Sequence, residues 1–410
     1  MLQVNPYYET LPGSYLFAEI AKRVASFSKE NPTANLIKLG IGDVTKPLVP
    51  AVVEAFQKAV LEMGEASTFR GYGPDYGCDF LLNAIQKHDY EALGIAIDSD
   101  EIFVSDGAKC DVSNVQELFS ADTVIAITDP VYPVYVDSNA MAGRAGTYEN
   151  NRWNRLVYLP CNAENQFVPA VPTEKVDVIY LCYPNNPTGT TLSKEDLKRF
   201  VDYAKQNDAI IIYDAAYKAF ISSGAPQSIY EVEGAKEVAI ECCSYSKTAG
   251  FTGTRCGYMV IPHGVCGVGA KGQKVSLNSM WKRRMGSKFN GVSYPVQRAA
   301  EAIYSPEGQQ QCADAIADYM VNAKVIREGL QNAGFTVFGG VDAPYIWMKT
   351  PEGVSSWDFF DDLLHRCAVV GTPGAGFGPS GEGYFRLTAF NTLEKTQEAV
   401  ARIQEAYGKK

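Results

Sequence analysis

One lysine in the stretch "VAIECCSYSKTAGFTGTRCGYMVI", residues 238–261, keeps unusual company. Lys247 follows a run of small and branched apolar residues and sits among serines, threonines and glycines, whereas a solvated lysine usually has charges around it. An amine in that setting is a candidate nucleophile toward a carbonyl. Four other stretches carry polar groups at equivalent places, each just past an apolar run. After "EIFVS" (101–105), "DGAKCD" offers Gly107 and Ala108, small enough to expose backbone N–H groups before an expected helix, which suits a phosphate. After "TVIAIT" (123–128), "DPVYPVY" sets Tyr132 in a proline-fixed turn where its ring can lie on a flat ligand.

After "VIYLCY" (178–183), the prolines of "YPNNPTG" are expected to hold the chain extended around Asn185 and Asn186, a rigid frame that aims an amide. "AIIIYD" (209–214) ends in Asp214, and a carboxylate so close to a core needs a cationic partner or takes a raised pKa. Tyr217 follows three residues later. "VAIECC" (238–243) delivers Ser244 and Lys247, with Arg255 eight residues beyond.

The elements that must position these groups are legible from the same runs. Short branched runs alternate with longer amphipathic stretches from about residue 100, with "GYMVI" (257–261) the last of them, the pattern of a parallel sheet wrapped by helices. Near-continuous apolar character predicts strands buried on both faces. In such a sheet a ligand binds at the carboxyl ends of the strands, so all five polar stretches point to one place. "LSKEDLKRFVDYAKQ" reads as a helix capped by Ser193, with Leu197, Phe200, Val201 and Ala204 on one face.

Beyond about residue 290 long helical patterns, then "FTVFGG", "PYIWMK", "YFRLTAF" and a closing helix, predict a smaller α+β domain. The expected organisation is an N-terminal arm with part of the small domain over 1–45, a large domain over 46–288, and a small C-terminal domain over 289–410. The fold class is α/β, with a mostly parallel central sheet.

Taken together, the backbone amides, a serine and an arginine for a phosphate, an aromatic ring, a buried carboxylate, an amide, a phenol and an amine describe a socket for pyridoxal 5'-phosphate. Lys247 would form a Schiff base with its aldehyde, and Asp214 would keep the pyridine nitrogen protonated so that the ring accepts electrons. Asn186 and Tyr217 would hydrogen-bond the ring oxygen.

Composition narrows the alternatives. The net charge is −10 and "WKRR" (281–284) is an isolated basic cluster, which argues against nucleic acid as a partner. No apolar run reaches the length of a membrane span and the amino terminus lacks the pattern of a secretory leader, so a cytoplasmic location is expected. The ten cysteines form no C-x-x-C and read as free thiols, while the three histidines stand far apart. Neither a metal site nor a serine–histidine triad is expected.

"YPNNPTG", "YDAAY" and "SYSKTAGFTGTRCGY" strongly resemble fold-type I, class I/II aminotransferases, over essentially the whole chain. "GSYLFAEI", "LGIGD", "RGYGPDYG", "VSDGAKCD", "FNG", "GTPGAGFGPSGEGYFRLTAF" and "SSWDFFD" are similar to the branch of that family acting on LL-diaminopimelate. The resemblance implies that Lys247, Asp214 and Tyr217 are catalytic. It implies that Tyr72, Ala108, Lys109, Tyr132, Asn186, Ser244 and Arg255 join them around the cofactor. Tyr15, Gly42, Asp75, Lys109, Tyr132, Asn186, Asn290 and Arg386 would bind substrate.

Tyr72 and Asn290 are expected to cross to a neighbouring subunit's site, making a homodimer the working unit. Arg386 interrupts an alternating strand pattern with a charge, which suits a two-pronged grip on an α-carboxylate, with a structural salt bridge as the competing account. The expected reaction is amino transfer from LL-2,6-diaminopimelate to 2-oxoglutarate, yielding tetrahydrodipicolinate and glutamate. Another aminotransferase acting on lysine, aspartate or aromatic donors, a lyase or synthase with the same cofactor, and a binding protein on this scaffold are the alternatives.

Overall fold

A computed structural model describes residues 1–12 and 16–408. All six predicted runs are strands of one seven-stranded sheet, in the order Ile102–Ser105, Gly257–Val260, Ala239–Ser244, Ile210–Asp214, Val178–Cys182, Ile125–Asp129 and Leu156–Pro160. Pairing is parallel from Ala239–Ser244 through to Leu156–Pro160. Gly257–Val260 departs from the parallel pattern, running antiparallel to both neighbours. Its connection from Ala239–Ser244 holds only the single helical turn Tyr245–Thr248, not the helix that usually carries a parallel crossover.

The strand Leu156–Pro160 was not among the predicted runs. It lies at the sheet edge with a mixed burial pattern, so it lacks the continuous apolar signature of its fully buried neighbours. Cys242 packs with Ile212 and Ile240 on one face of the sheet and Cys243 with Ile211 and Val260 on the other, as side-chain alternation along a strand requires.

The helix Lys194–Asn207 starts where the sequence places it. Ser193 Oγ accepts the Asp196 N–H at 3.0 Å, and the Asp196 carboxylate accepts the Ser193 N–H at 3.1 Å. Two otherwise orphaned amides are thereby satisfied. Leu197, Phe200, Val201 and Ala204 are buried against the sheet, and each large side chain of that stripe contributes about 1.5–3 kcal/mol. Asp208 leaves the helix at φ 53°.

A second, antiparallel sheet orders Val337–Gly339, Tyr345–Lys349, Tyr384–Thr388 and Thr372–Pro373, backed by the helices Pro306–Asn332, Ser356–Cys367 and Leu393–Tyr407. Ile37–Lys38 pairs with Val369–Val370, tying the start of the chain to its end. The glycine-rich segment before Tyr384 forms two short 3-10 turns and leads into a strand, so no dinucleotide-binding turn is present there. Residues 185–190 leave the large sheet and press on the small one. Gly189 has φ +68°, and a Cβ there would lie 2.2 Å from the Tyr345 carbonyl oxygen.

Gly189→Ala is therefore expected to cost more than about 1 kcal/mol, since both conformation and space oppose it. Gly224→Ala shares the left-handed backbone at φ +86° but meets open space, and should cost about 1 kcal/mol. Thermal unfolding of the two variants tests the contrast, and equal losses would remove the tight seam between the sheets.

Candidate active site

The carboxyl ends of the central strands converge as the parallel topology demands. Asp214 ends the strand Ile210–Asp214 and is 6% exposed. Tyr135 Oη donates to its Oδ2 at 2.6 Å and the Ala216 N–H donates to its Oδ1 at 3.0 Å. Burial raises its pKa, and these two neutral donors pull it back. Of the alternatives stated for this carboxylate, the raised pKa is the one realised. Tyr135 was missed from the sequence although it lies within "DPVYPVY". The helix Val134–Met141 turns it inward beneath Tyr132, whose ring meets Tyr135 edge to face at 5.8 Å.

Lys247 stands on the single helical turn Tyr245–Thr248 that follows the strand Ala239–Ser244. Its Nζ donates to the Gly42 carbonyl and lies 5.4 Å from the Phe390 ring centroid. Burial drives its pKa down to about 8; Asp43 opposes the fall, and the charges of Arg386 and Arg255 deepen it. A substantial neutral fraction at physiological pH follows.

A second cluster forms where the strand Ile102–Ser105 gives way to the helix Ala108–Asn114. Gly107 has φ +123°, and a Cβ there would come within 2.5 Å of Arg255 Nη2. Arg255, itself at φ 62°, donates from Nη1 to Ser246 Oγ at 3.1 Å. Ser244 caps the Lys247 turn by accepting the Ser246 N–H at 3.1 Å. A guanidinium, serine hydroxyls and the backbone at Gly107–Ala108 thus border one small space, the donor set of an oxyanion cradle. Ser246 was not singled out from the sequence.

Arg386 enters from the small sheet and is 1% exposed. Its Nη1 donates to Asn186 Oδ1 at 2.6 Å, and its Nη2 to the Gly40 carbonyl at 2.7 Å and to Thr372 Oγ1 at 3.5 Å. Its Cζ lies over the rings of Tyr345 and Phe377 at 4.5 and 4.8 Å. Asn186 Nδ2 in turn reaches Tyr217 Oη at 3.4 Å. The expected extended run around the two asparagines is instead a bend and turn, with cis peptide bonds before Pro184 and Pro187. Asn185 serves the turn itself, its Oδ1 accepting from Thr188 N and Oγ1, which leaves Asn186 as the amide that faces Arg386. Tyr345, also unpicked in the sequence, meets Tyr217 Oη with its own hydroxyl at 2.7 Å.

Other predicted residues sit farther out. Lys109 is exposed on the helix Ala108–Asn114, where its charge opposes the burial that pushes Asp137 up to about 6. Tyr72 is 92% exposed. Asn290 is exposed beside Gly291, where a Cβ would lie 2.8 Å from the Pro74 carbonyl oxygen, so Asp75 and Asn290 lie on touching segments at the surface. Tyr15 lies outside the described residues.

Residues 34–403 match the family described as aminotransferase class I and II. The chain is similar to a curated LL-diaminopimelate aminotransferase of Methanosphaera stadtmanae, with 61% identity over 98% of this chain and 99% of that relative. Its structure is similar to an L,L-diaminopimelate aminotransferase from Chlamydomonas reinhardtii, with a TM-score of 0.93, 42% identity and 99% of each chain covered. It is also similar to substrate-bound BacF from Bacillus subtilis, with a TM-score of 0.82, 27% identity, and 99% and 98% of the two chains covered.

The environment of Lys247 generates a measurable expectation. In the cofactor-free protein, its modification by an amine-acylating reagent should show a midpoint near pH 8, set by the lowered pKa of about 8. Exposed lysines should titrate near about 10.4. Peptide-resolved labelling across pH makes the comparison, and a Lys247 midpoint among those of the exposed lysines would contradict the desolvated amine.

Proposed function

The chain belongs to the class I and II aminotransferases, and from that membership we propose that it transfers an amino group between LL-2,6-diaminopimelate and 2-oxoglutarate. The products are glutamate and an amino-keto acid that closes to tetrahydrodipicolinate with loss of water, a step of lysine biosynthesis. The observation that carries this reading is the full-length likeness to a curated LL-diaminopimelate aminotransferase. The enzyme is a pyridoxal 5'-phosphate-dependent transaminase of fold-type I.

The residues present fit that cofactor. The space between Gly107 and Arg255 is one that a Cβ would fill, and Arg255, Ser244 and Ser246 supply anion donors. The buried Asp214 carboxylate, held by neutral donors, suits a protonated ring nitrogen. In this reading Arg255, Ser244, Ala108 and Lys109 hold the phosphate, Tyr132, Asn186, Tyr217 and Asp214 hold the ring, and Lys247 holds the aldehyde end. When bound, pyridoxal phosphate supplies an aldehyde that captures amines and a ring that draws electrons from the substrate α-carbon.

The chain's own groups do the rest. Lys247 Nζ, neutral in a substantial fraction because burial lowers its pKa to about 8, would take the α-proton and pass it on within the same half-reaction, and would deliver a proton to the α-carbon in the reverse half-reaction. Arg386 grips the α-carboxylate, which amino acid and 2-oxo acid share, so one guanidinium serves both half-reactions. Its bonds to Asn186, Gly40 and Thr372 fix the plane of that grip before substrate arrives. In this reading Tyr15, Gly42 and Asp75 belong to the far end of the substrate, where Asp75, Lys109 and Asn290 receive its ammonium and carboxylate.

The exposure of Tyr72 and Asn290 supports a homodimer in which each completes the neighbouring site. Division into 1–45, 46–288 and 289–410 is supported by the two separate sheets. The ten free thiols suit a reducing cytoplasm, and among the described residues no helix is long and apolar enough to cross a membrane.

Steady-state assays with 2-oxoglutarate as acceptor should give a kcat/KM for LL-diaminopimelate well above those for lysine, aspartate and phenylalanine. A preference for any of these donors would overturn the substrate assignment. Lys247→Ala is expected to abolish steady turnover, by about 10⁴-fold or more, while circular dichroism stays native. Near-native turnover in that variant would remove Lys247 from its role.

A further inference from the structure

We infer that Tyr345 is a positioning residue whose hydroxyl donates to Tyr217 and so directs the Tyr217 proton toward the bound cofactor. Tyr345 opens the small-sheet strand Tyr345–Lys349 and is 1% exposed, yet its hydroxyl reaches the large sheet's site. It meets Tyr217 Oη at 2.7 Å, with the two rings edge to face at 5.1 Å. Its ring supports the Arg386 guanidinium, 4.5 Å from Cζ to centroid. Its hydroxyl also stands where a Cβ on Gly42 would be, 2.5 Å away, and Gly42 is the residue whose carbonyl accepts from Lys247. One side chain therefore touches Tyr217, Arg386 and the residue that accepts from Lys247.

Either phenol of the Tyr217–Tyr345 pair could be the donor on distance alone, and the role of Tyr217 toward the ring oxygen chooses between them. Asn186 Nδ2 already donates toward Tyr217 Oη at 3.4 Å. A second donation from Tyr345 fills the remaining acceptor position of Tyr217, so its own proton has to point away from both, into the site. Tyr217 carries a single proton, and with that proton committed to the ring oxygen only Tyr345 can supply the one shared between the two hydroxyls. A phenol that accepts a hydrogen bond becomes a stronger donor in turn, so Tyr345 both aims and strengthens the Tyr217 O–H.

The inference rests on the reading that Tyr217 faces the ring oxygen of pyridoxal phosphate. A donor to that oxygen favours its anionic form, so weakening the donor raises the pH midpoint of the bound cofactor's visible absorbance. Tyr345→Phe, which keeps the ring, is expected to raise that midpoint by about half a unit or more and to lower kcat/KM several-fold. In a Tyr217→Phe background the same substitution should move the midpoint little, because the group it acts through is gone.

The absorbance reads folded, loaded protein only. Gly42→Ala, which displaces the Tyr345 hydroxyl, supplies a second variant with the same expected direction and the same dependence on Tyr217. An equal shift with and without Tyr217, or none in either background, overturns the inference. If Tyr217→Phe alone leaves the midpoint unchanged, the placement of Tyr217 itself fails, and the role of Tyr345 falls with it. That result is distinct from a failure of the diaminopimelate assay, which leaves the midpoint measurement intact.

Discussion

An amine taken out of water is the constraint on which the site is built. The pKa of Lys247 falls to about 8 chiefly because its surroundings exclude solvent, and the nearby Arg386 and Arg255 push in the same direction. Every feature that produces that environment has a structural source. The strand Ala239–Ser244 carries the chain to the carboxyl end of the sheet, a single turn lifts the lysine, and the Gly42 carbonyl from the N-terminal segment accepts a hydrogen bond from it. Loosening any of these lets water in and returns the amine toward its ordinary basicity.

The same logic governs the other charges. Asp214 is buried with a hydroxyl and a backbone N–H as donors, so its carboxylate retains most of its capacity to meet a cation brought by a ligand. Arg386 is buried with its guanidinium oriented by an amide, a carbonyl and a hydroxyl. These bonds fix the direction of both groups before any ligand arrives.

These groups come from two sheets, and the seam between them is as much a part of the site as any single residue. Asn186 on the large sheet's loop bonds Arg386 on the small sheet, Tyr217 meets Tyr345 across the same line, and Gly189 lets the loop press on the Tyr345 backbone. A shift of one sheet against the other would break several of these contacts at once. Geometry on the scale that catalysis demands is held by this joint packing.

Continuous apolar runs identified six of seven strands of the central sheet, because fully buried strands leave that signature; Leu156–Pro160, at the edge and only partly buried, leaves none. The same runs located Asp214, Asn186, Tyr217, Ser244, Lys247 and Arg255, since parallel strands present their carboxyl ends on one side and polar residues there stand out against the core. The sequence also marked Arg386 as a charge in an otherwise apolar strand. It could not mark Tyr135, Ser246 or Tyr345, whose types are ordinary at their positions and whose roles arise from partners 79, 9 and 128 residues away. Local pattern determines which residues lie at a strand end, whereas hydrogen bonding between distant segments depends on distances that only the packed chain defines.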